Sequence, residues 1–201
     1  MLLWKSWFDL RLRFYCSLAV LLFLLAVNVG IYPFLNSLKP EDDYSKETLR
    51  RIVVDYRYYI NAQWFQTNAT VALYIITVLL ALGGVAAEKR KGTLPITLSL
   101  PLDRWNWILM HAGMTGLLLL GLAVSSAIGA VLGSLFIGKS YHLFEAMSHA
   151  LGIWLACFPL IGLSLLLNGF SHSGIKSALV LIPIYLMGPQ LIRFMAPGFY
   201  R

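Results

Sequence analysis

Three stretches of the 201-residue chain carry residue types whose spacing could do chemistry. Gly133-Ser-Leu-Phe-Ile-Gly138-Lys139-Ser140 matches the phosphate-cradling pattern G-x-x-x-x-G-K-[ST] letter for letter. That mechanism needs the loop to follow a strand and open a helix, so that successive backbone N–H groups surround the phosphates. Here the motif ends a long uncharged apolar tract instead. No Asp follows Asp103 and the only later acid is Glu145, so a carboxylate for magnesium is missing downstream, and nucleotide binding is not expected at this site. His142, Glu145 and His149 are spaced i, i+3, i+7 and share one helix face, which is a candidate half-site for zinc. Three ligands on one short face rarely close a site, so an interfacial helix is the preferred reading and no metal is expected. Gly162-Leu-Ser164-Leu, with His111 or His172, has the ingredients of a serine hydrolase, but nothing fixes a base beside Ser164. No catalytic residue is therefore assigned. Asn28 and Asn168 read as interhelical hydrogen-bond donors, and the Asn68-Ala-Thr70 triplet opens an apolar span rather than a glycosylated loop.

The elements that must position these residues follow from composition. Apolar and aromatic residues make up 59% of the chain and charged residues 12%, against roughly a quarter charged in a soluble domain. The charges are clustered between long uncharged tracts, which is the pattern of an all-α, polytopic transmembrane helix bundle. Residues 1–14 read as an interfacial amphipathic helix, with Trp4, Trp7, Phe8 and Arg11 at helical spacing. Spans are expected at 16–35, 67–87, 107–137, 147–169 and 177–196. The last is interrupted by Pro183 and Pro189, so the count is five, or six if it hides a re-entrant pair. Residues 37–66 form the loop on the extracytoplasmic side, and 88–104 a polar insert on the cytoplasmic side. Ser125, Gly129 and Gly133 make a small-xxx-small stripe suited to helix packing.

The positive balance belongs to residues that flank apolar tracts, where they meet anionic lipid, and does not indicate nucleic acid. Cys16 and Cys157 read as small buried apolar residues. No secretory signal peptide is visible, because the first apolar tract is too long and lacks a small-residue cleavage site. The dense Lys89-Arg90-Lys91 run beside a short loop favours a cytoplasmic amino terminus.

The polar insert is the most elaborate part of the sequence. Ala86 to Gly113 reads as a charged helix end, then Gly92, then a short amphiphilic helix that Thr93 can cap, that tolerates Pro95 in its first turn and that Pro101 stops. It offers Leu94, Ile96, Leu98 and Leu100 as a docking surface for a soluble partner.

This segment resembles the Glu-Arg-x-x-Gly-Thr-Leu…Leu-Pro signature between the second and third spans of ABC (ATP-binding cassette) type 2 transporter permeases. Glu88, Arg90, Gly92, Thr93, Leu94, Leu98, Ser99, Leu100, Pro101 and Arg104 fit that pattern, while Lys89 and Pro95 depart from it. The resemblance implies an export permease subunit, active as a dimer with a second copy or a homologue, in a bacterial inner membrane. Glu88, Arg90, Gly92, Thr93, Leu94, Leu98, Leu100, Pro101 and Arg104 would couple it to a cytoplasmic ATPase subunit. ATP and magnesium would be bound by that partner, leaving this chain without a cofactor or enzymatic activity of its own. The alternatives are a truncated or non-transporting membrane subunit, and a membrane-embedded enzyme. The second would need convergent ionisable residues within the spans, and the sequence offers very few.

Overall fold

The computed structural model of the chain describes residues 2–37, 55–91 and 104–170, which are helical or lie in short turns, with no strand among them. Helix α1 is Leu2–Ser37. The second helix, α2, is continuous but composite: an α turn Tyr56–Tyr59, a π-helical stretch Ile60–Ala69, and an α segment Thr70–Lys91. Helix α3 is Arg104–Phe136 and α4 is Leu143–Phe170. Each contains a segment long and apolar enough to cross a bilayer, at Leu10–Leu35, Tyr56–Leu82, Ile108–Phe136 and Leu143–Leu167. The shortest of these has 25 residues, and roughly 20 suffice for a hydrocarbon core of about 30 Å. The chain is thus a membrane protein by the length and composition of four helices.

Several expectations are corrected. Residues 1–14 do not form a separate interfacial helix, because α1 runs through them unbroken. The chain has no Gly or Pro before Gly30 and so nothing to stop the helix. Two of the charges near its start have partners. Arg13 Nη1 donates to the Leu79 carbonyl of α2 at 3.0 Å, and the Arg11 guanidinium lies 4.4 Å over the Phe8 ring. The loop expected at 37–66 is also shorter, since residues 56–66 are already helical. Asp55 caps that helix, its side chain accepting from Arg57 N at 3.0 Å. Cys16, expected to be buried, is exposed, while Cys157 is buried. The expected fifth span at 177–196 and residues 92–103 of the insert lie outside the described residues.

The π stretch has a local cause. Its sequence, Ile-Asn-Ala-Gln-Trp-Phe-Gln-Thr-Asn-Ala, places buried Ile60, Trp64, Phe65 and Ala69 four to five residues apart. This is the spacing of an i→i+5 ladder rather than an i→i+4 one. Two threonine hydroxyls span the same five-residue interval, Thr67 Oγ1 to the Ala62 carbonyl at 2.9 Å and Thr70 Oγ1 to the Phe65 carbonyl at 2.5 Å.

The chain forms two compact units. One comprises Met1–Arg13, Tyr74–Leu117 and Cys157–Arg201; the other comprises Phe14–Leu73 and Leu118–Ala156. In the first, Val78 and Leu82 of α2 pack with Leu167 of α4. In the second, the small-residue stripe of α3 lies against α1. A Cβ on Gly133 would sit 3.0 and 3.1 Å from the two methyls of Val29, and one on Gly129 would sit 2.5 Å from Leu25 Cδ2. Leu25 can swing its flexible end away. Val29 is β-branched and stiff, so Gly133 is the tighter constraint.

Replacing Gly133 with Leu is therefore expected to push α3 off α1 and cost about 1–3 kcal/mol. Gly113→Ala, at a helical position with nothing within 4 Å, should instead gain up to about 1 kcal/mol from helix propensity. Thermal unfolding of the two variants in detergent micelles checks both directions.

Candidate functional site

The second unit concentrates its polar residues where α2 and α4 begin. Glu145, in the first turn of α4, is the single Asp or Glu within the four membrane-crossing segments. An intramembrane carboxylate must find partners, and Glu145 finds them on α2. Arg57 Nε donates to Oε1 at 3.0 Å and lies 2.7 Å from Oε2, while Asn61 Nδ2 donates to Oε1 at 2.8 Å. The Asn61 side-chain oxygen Oδ1 in turn accepts from the Tyr141 hydroxyl. Tyr141 is buried in the short turn between α3 and α4. Burial, and secondarily the Glu145 carboxylate, push its phenol well above the usual tyrosine range. The hydroxyl therefore stays protonated and keeps donating at any physiological pH.

Beneath this network lies an aromatic layer. Tyr32 of α1 meets Tyr56 edge-on at 4.8 Å between ring centroids and Tyr59 at 5.1 Å. The Tyr59 hydroxyl donates to the Asn28 carbonyl at 2.8 Å, whereas the buried Tyr56 hydroxyl has no partner among the described residues. Asn68 Nδ2 donates to Asn28 Oδ1 at 2.9 Å, and the buried Trp64 indole donates to Ser126 Oγ of α3 at 3.0 Å. Residues of α2 thus hydrogen-bond α1, α3 and α4 within this one unit.

The residues singled out from sequence fare differently. The His142, Glu145, His149 triplet does not assemble: Glu145 turns to Arg57 and Asn61, His149 stacks on Phe65 at 5.4 Å, and His142 is exposed. No group of three His, Cys, Asp or Glu among the described residues could hold a metal ion. The Gly133–Ser140 match is the end of a helix. Gly138, at φ +70°, is the left-handed residue that stops α3, with Lys139 N bonded to the Ser134 carbonyl and Gly138 N to the Leu135 carbonyl, both at 3.0 Å. This is a glycine C-cap, which closes the carbonyl end of a helix instead of opening an anion-binding amino end.

In the other unit, His111 Nε2 lies 3.3 Å from the Ala81 carbonyl, and Ser164 Oγ is buried without a partner among the described residues. The imidazole is thus engaged with the backbone of α2. Asn28 and Asn68 are both occupied between helices, while the side chain of Asn168 is outside the described residues. Ser125 bonds the Leu122 carbonyl in its own helix. Of the residues expected to couple to an ATPase, Glu88 and Arg90 lie in the last turn of α2 and Arg104 opens α3. Gly92, Thr93, Leu94, Leu98, Leu100 and Pro101 are outside the described residues.

Sequence reasoning missed Arg57, Asn61 and Tyr141. One signal was available: Arg57 is the only Lys or Arg in the second, third and fourth membrane-crossing segments, and Glu145 the only acid. Such a pair in apolar surroundings must neutralise itself. The arrangement can cross-link the starts of α2 and α4 and present a guanidinium outward; it contains no nucleophile–base pair. No protein-family model, curated protein or solved structure matches the chain.

Asn61 joins both halves of the network, so Asn61→Ala should strip the bonds to Glu145 and Tyr141 and destabilise by about 1–3 kcal/mol. Thr67→Val, whose hydroxyl is exposed, should change stability by no more than about 0.5 kcal/mol. Parallel denaturant titrations in micelles distinguish the two.

Proposed function

We propose that the chain is the membrane-spanning subunit of an ATP-binding cassette exporter of the type 2 permease class. One observation carries the reading: residues 92–103 connect the end of α2 at Lys91 to the start of α3 at Arg104. They link two membrane-crossing helices and hold Gly92-Thr93-Leu94 and Leu98-Ser99-Leu100-Pro101. That position, between consecutive spans and next to a basic run, is where the resemblance requires a coupling element.

With the amino terminus inside a bacterial plasma membrane, the insert faces the cytoplasm and the Arg57–Glu145 network faces outward. Closure of a separate ATPase pair against the Thr93–Leu100 segment displaces it. The helices to which it is joined follow as rigid pieces, because packed helices reorient rather than deform. Glu88 and Arg90 anchor the joint by charge-assisted hydrogen bonds to the ATPase. Two copies of this chain, or one copy and a homologue, enclose the pathway. The chain itself takes no nucleotide; the ATPase holds ATP and magnesium.

A detergent pull-down of the tagged chain from its native membrane should recover a cassette ATPase with measurable ATP hydrolysis. Glu88→Ala combined with Arg90→Ala should lose that partner by at least tenfold while still inserting into the membrane. Recovery of the intact chain alone, with no ATPase activity, would sink the permease reading in favour of a non-transporting subunit.

A further inference from the structure

We propose that the outward edge of the Arg57 guanidinium is a seat for a phosphate group presented at the membrane surface. The argument does not depend on the permease reading. It begins with how Arg57 is held. Only Nε is engaged, by both oxygens of Glu145 at 3.0 and 2.7 Å. Neither terminal nitrogen has a partner among the described residues. A guanidinium is planar with five N–H donors in a fixed fork, so with Nε turned to the carboxylate the edge between the two terminal nitrogens faces away from it. The Arg57 side chain is 61% exposed, whereas Glu145 is 17% exposed. The pair is therefore one-sided, with its acid largely covered and its base presenting a bidentate edge that has no partner among the described residues.

Position selects the ligand. Arg57 lies in the first turn of the segment Tyr56–Leu82 that is apolar enough to cross a membrane, and Glu145 in the first turn of Leu143–Leu167. Tyr58, next to Arg57 in the chain, is exposed, while Tyr32, Tyr56, Tyr59 and Tyr141 of the same unit are buried. An exposed tyrosine at the start of a crossing segment fits the headgroup level of a bilayer, where lipid phosphates lie. A phosphate has the geometry to take both parallel N–H groups of that one edge.

Glu145 cancels most of the long-range attraction and the Asp55 carboxylate, which accepts from Arg57 N, opposes it further, so the seat works only at short range, on a group already brought to that height. This sets its expected behaviour. The carboxylate both fixes Arg57 and competes with the incoming anion. Glu145→Gln keeps an oxygen for Nε but removes the competing charge.

The test uses the full chain purified in dodecyl maltoside and titrated with three probes. They are dihexanoyl phosphatidylglycerol, dihexanoylglycerol with the same tails and no phosphate, and inorganic phosphate. The phosphate-bearing lipid should bind at least about fivefold more tightly than the phosphate-free one. Arg57→Lys, which keeps the charge and loses the fork, should erase that difference, and Glu145→Gln should enlarge it. Inorganic phosphate binding as tightly as the lipid would identify a free phosphate as the source; much weaker binding would identify the headgroup. Equal binding of the two lipids, or an Arg57→Lys protein that still separates them as the wild type does, overturns the proposal. If Arg57→Gln is added and fails to fold, the folded Arg57→Lys protein still decides the matter.

Discussion

Inside a bilayer no water is available to take up a stray hydrogen bond, so each polar side chain of a crossing helix must find a partner in protein. The described helices show this constraint at work. Asn28 and Asn68 bind each other, Trp64 finds Ser126, and Glu145 gathers Arg57 and Asn61. In the other unit Arg13 reaches a backbone carbonyl of α2. Each such bond between membrane helices contributes modestly, on average roughly 0.6 kcal/mol. An unmade one costs more, because the alternative is a desolvated dipole in hydrocarbon. The bonds therefore fix which helix faces which, more than how strongly they hold.

That selection works only if the backbones come close enough. Lipid tails are as apolar as leucine, so helices in a membrane gain little from burying apolar surface against each other. Close contact comes from removing side chains. Gly129 and Gly133 do this on α3, letting Leu25 and Val29 of α1 rest almost on its backbone. On α1 the polar Asn28 sits between those same two contact positions, and the unit that contains the glycines also contains its bond to Asn68. Small residues and polar residues thus divide the work, the first setting distance and the second setting rotation.

The four crossing segments are legible in the sequence because each is a long tract almost without charge, and hydrocarbon tolerates nothing else. The glycine stripe is legible because its period of four is the period of a helix face. The Arg57–Glu145 pair is not, since its members are 88 positions apart and pairing across that distance is a property of the packed helices. Residues 56–66 read as part of a loop, with Arg57, Asn61, Gln63 and Gln66 among them. Only the partners of Arg57 and Asn61 in space reveal why a helix accepts them there. Letter patterns also mislead when direction is ignored. The glycine, lysine and serine at 138–140 match a phosphate loop, yet in this chain the glycine closes a helix where the motif's glycine must precede one.

The π stretch of α2 carries a consequence for how this segment can vary. Each extra residue taken into a wider turn changes the phase of everything that precedes it, as a spacer washer sets the angle at which a threaded bolt comes tight. An α residue turns the chain by about 100° and a residue of a wider π turn by less, so the length and winding of Ile60–Ala69 together set the bearing of Tyr56–Tyr59. Chain length between Asp55 and Thr70 is therefore the dial that points Arg57. Substitutions there can be absorbed one at a time, but an insertion or deletion would re-aim the whole first turn of the span.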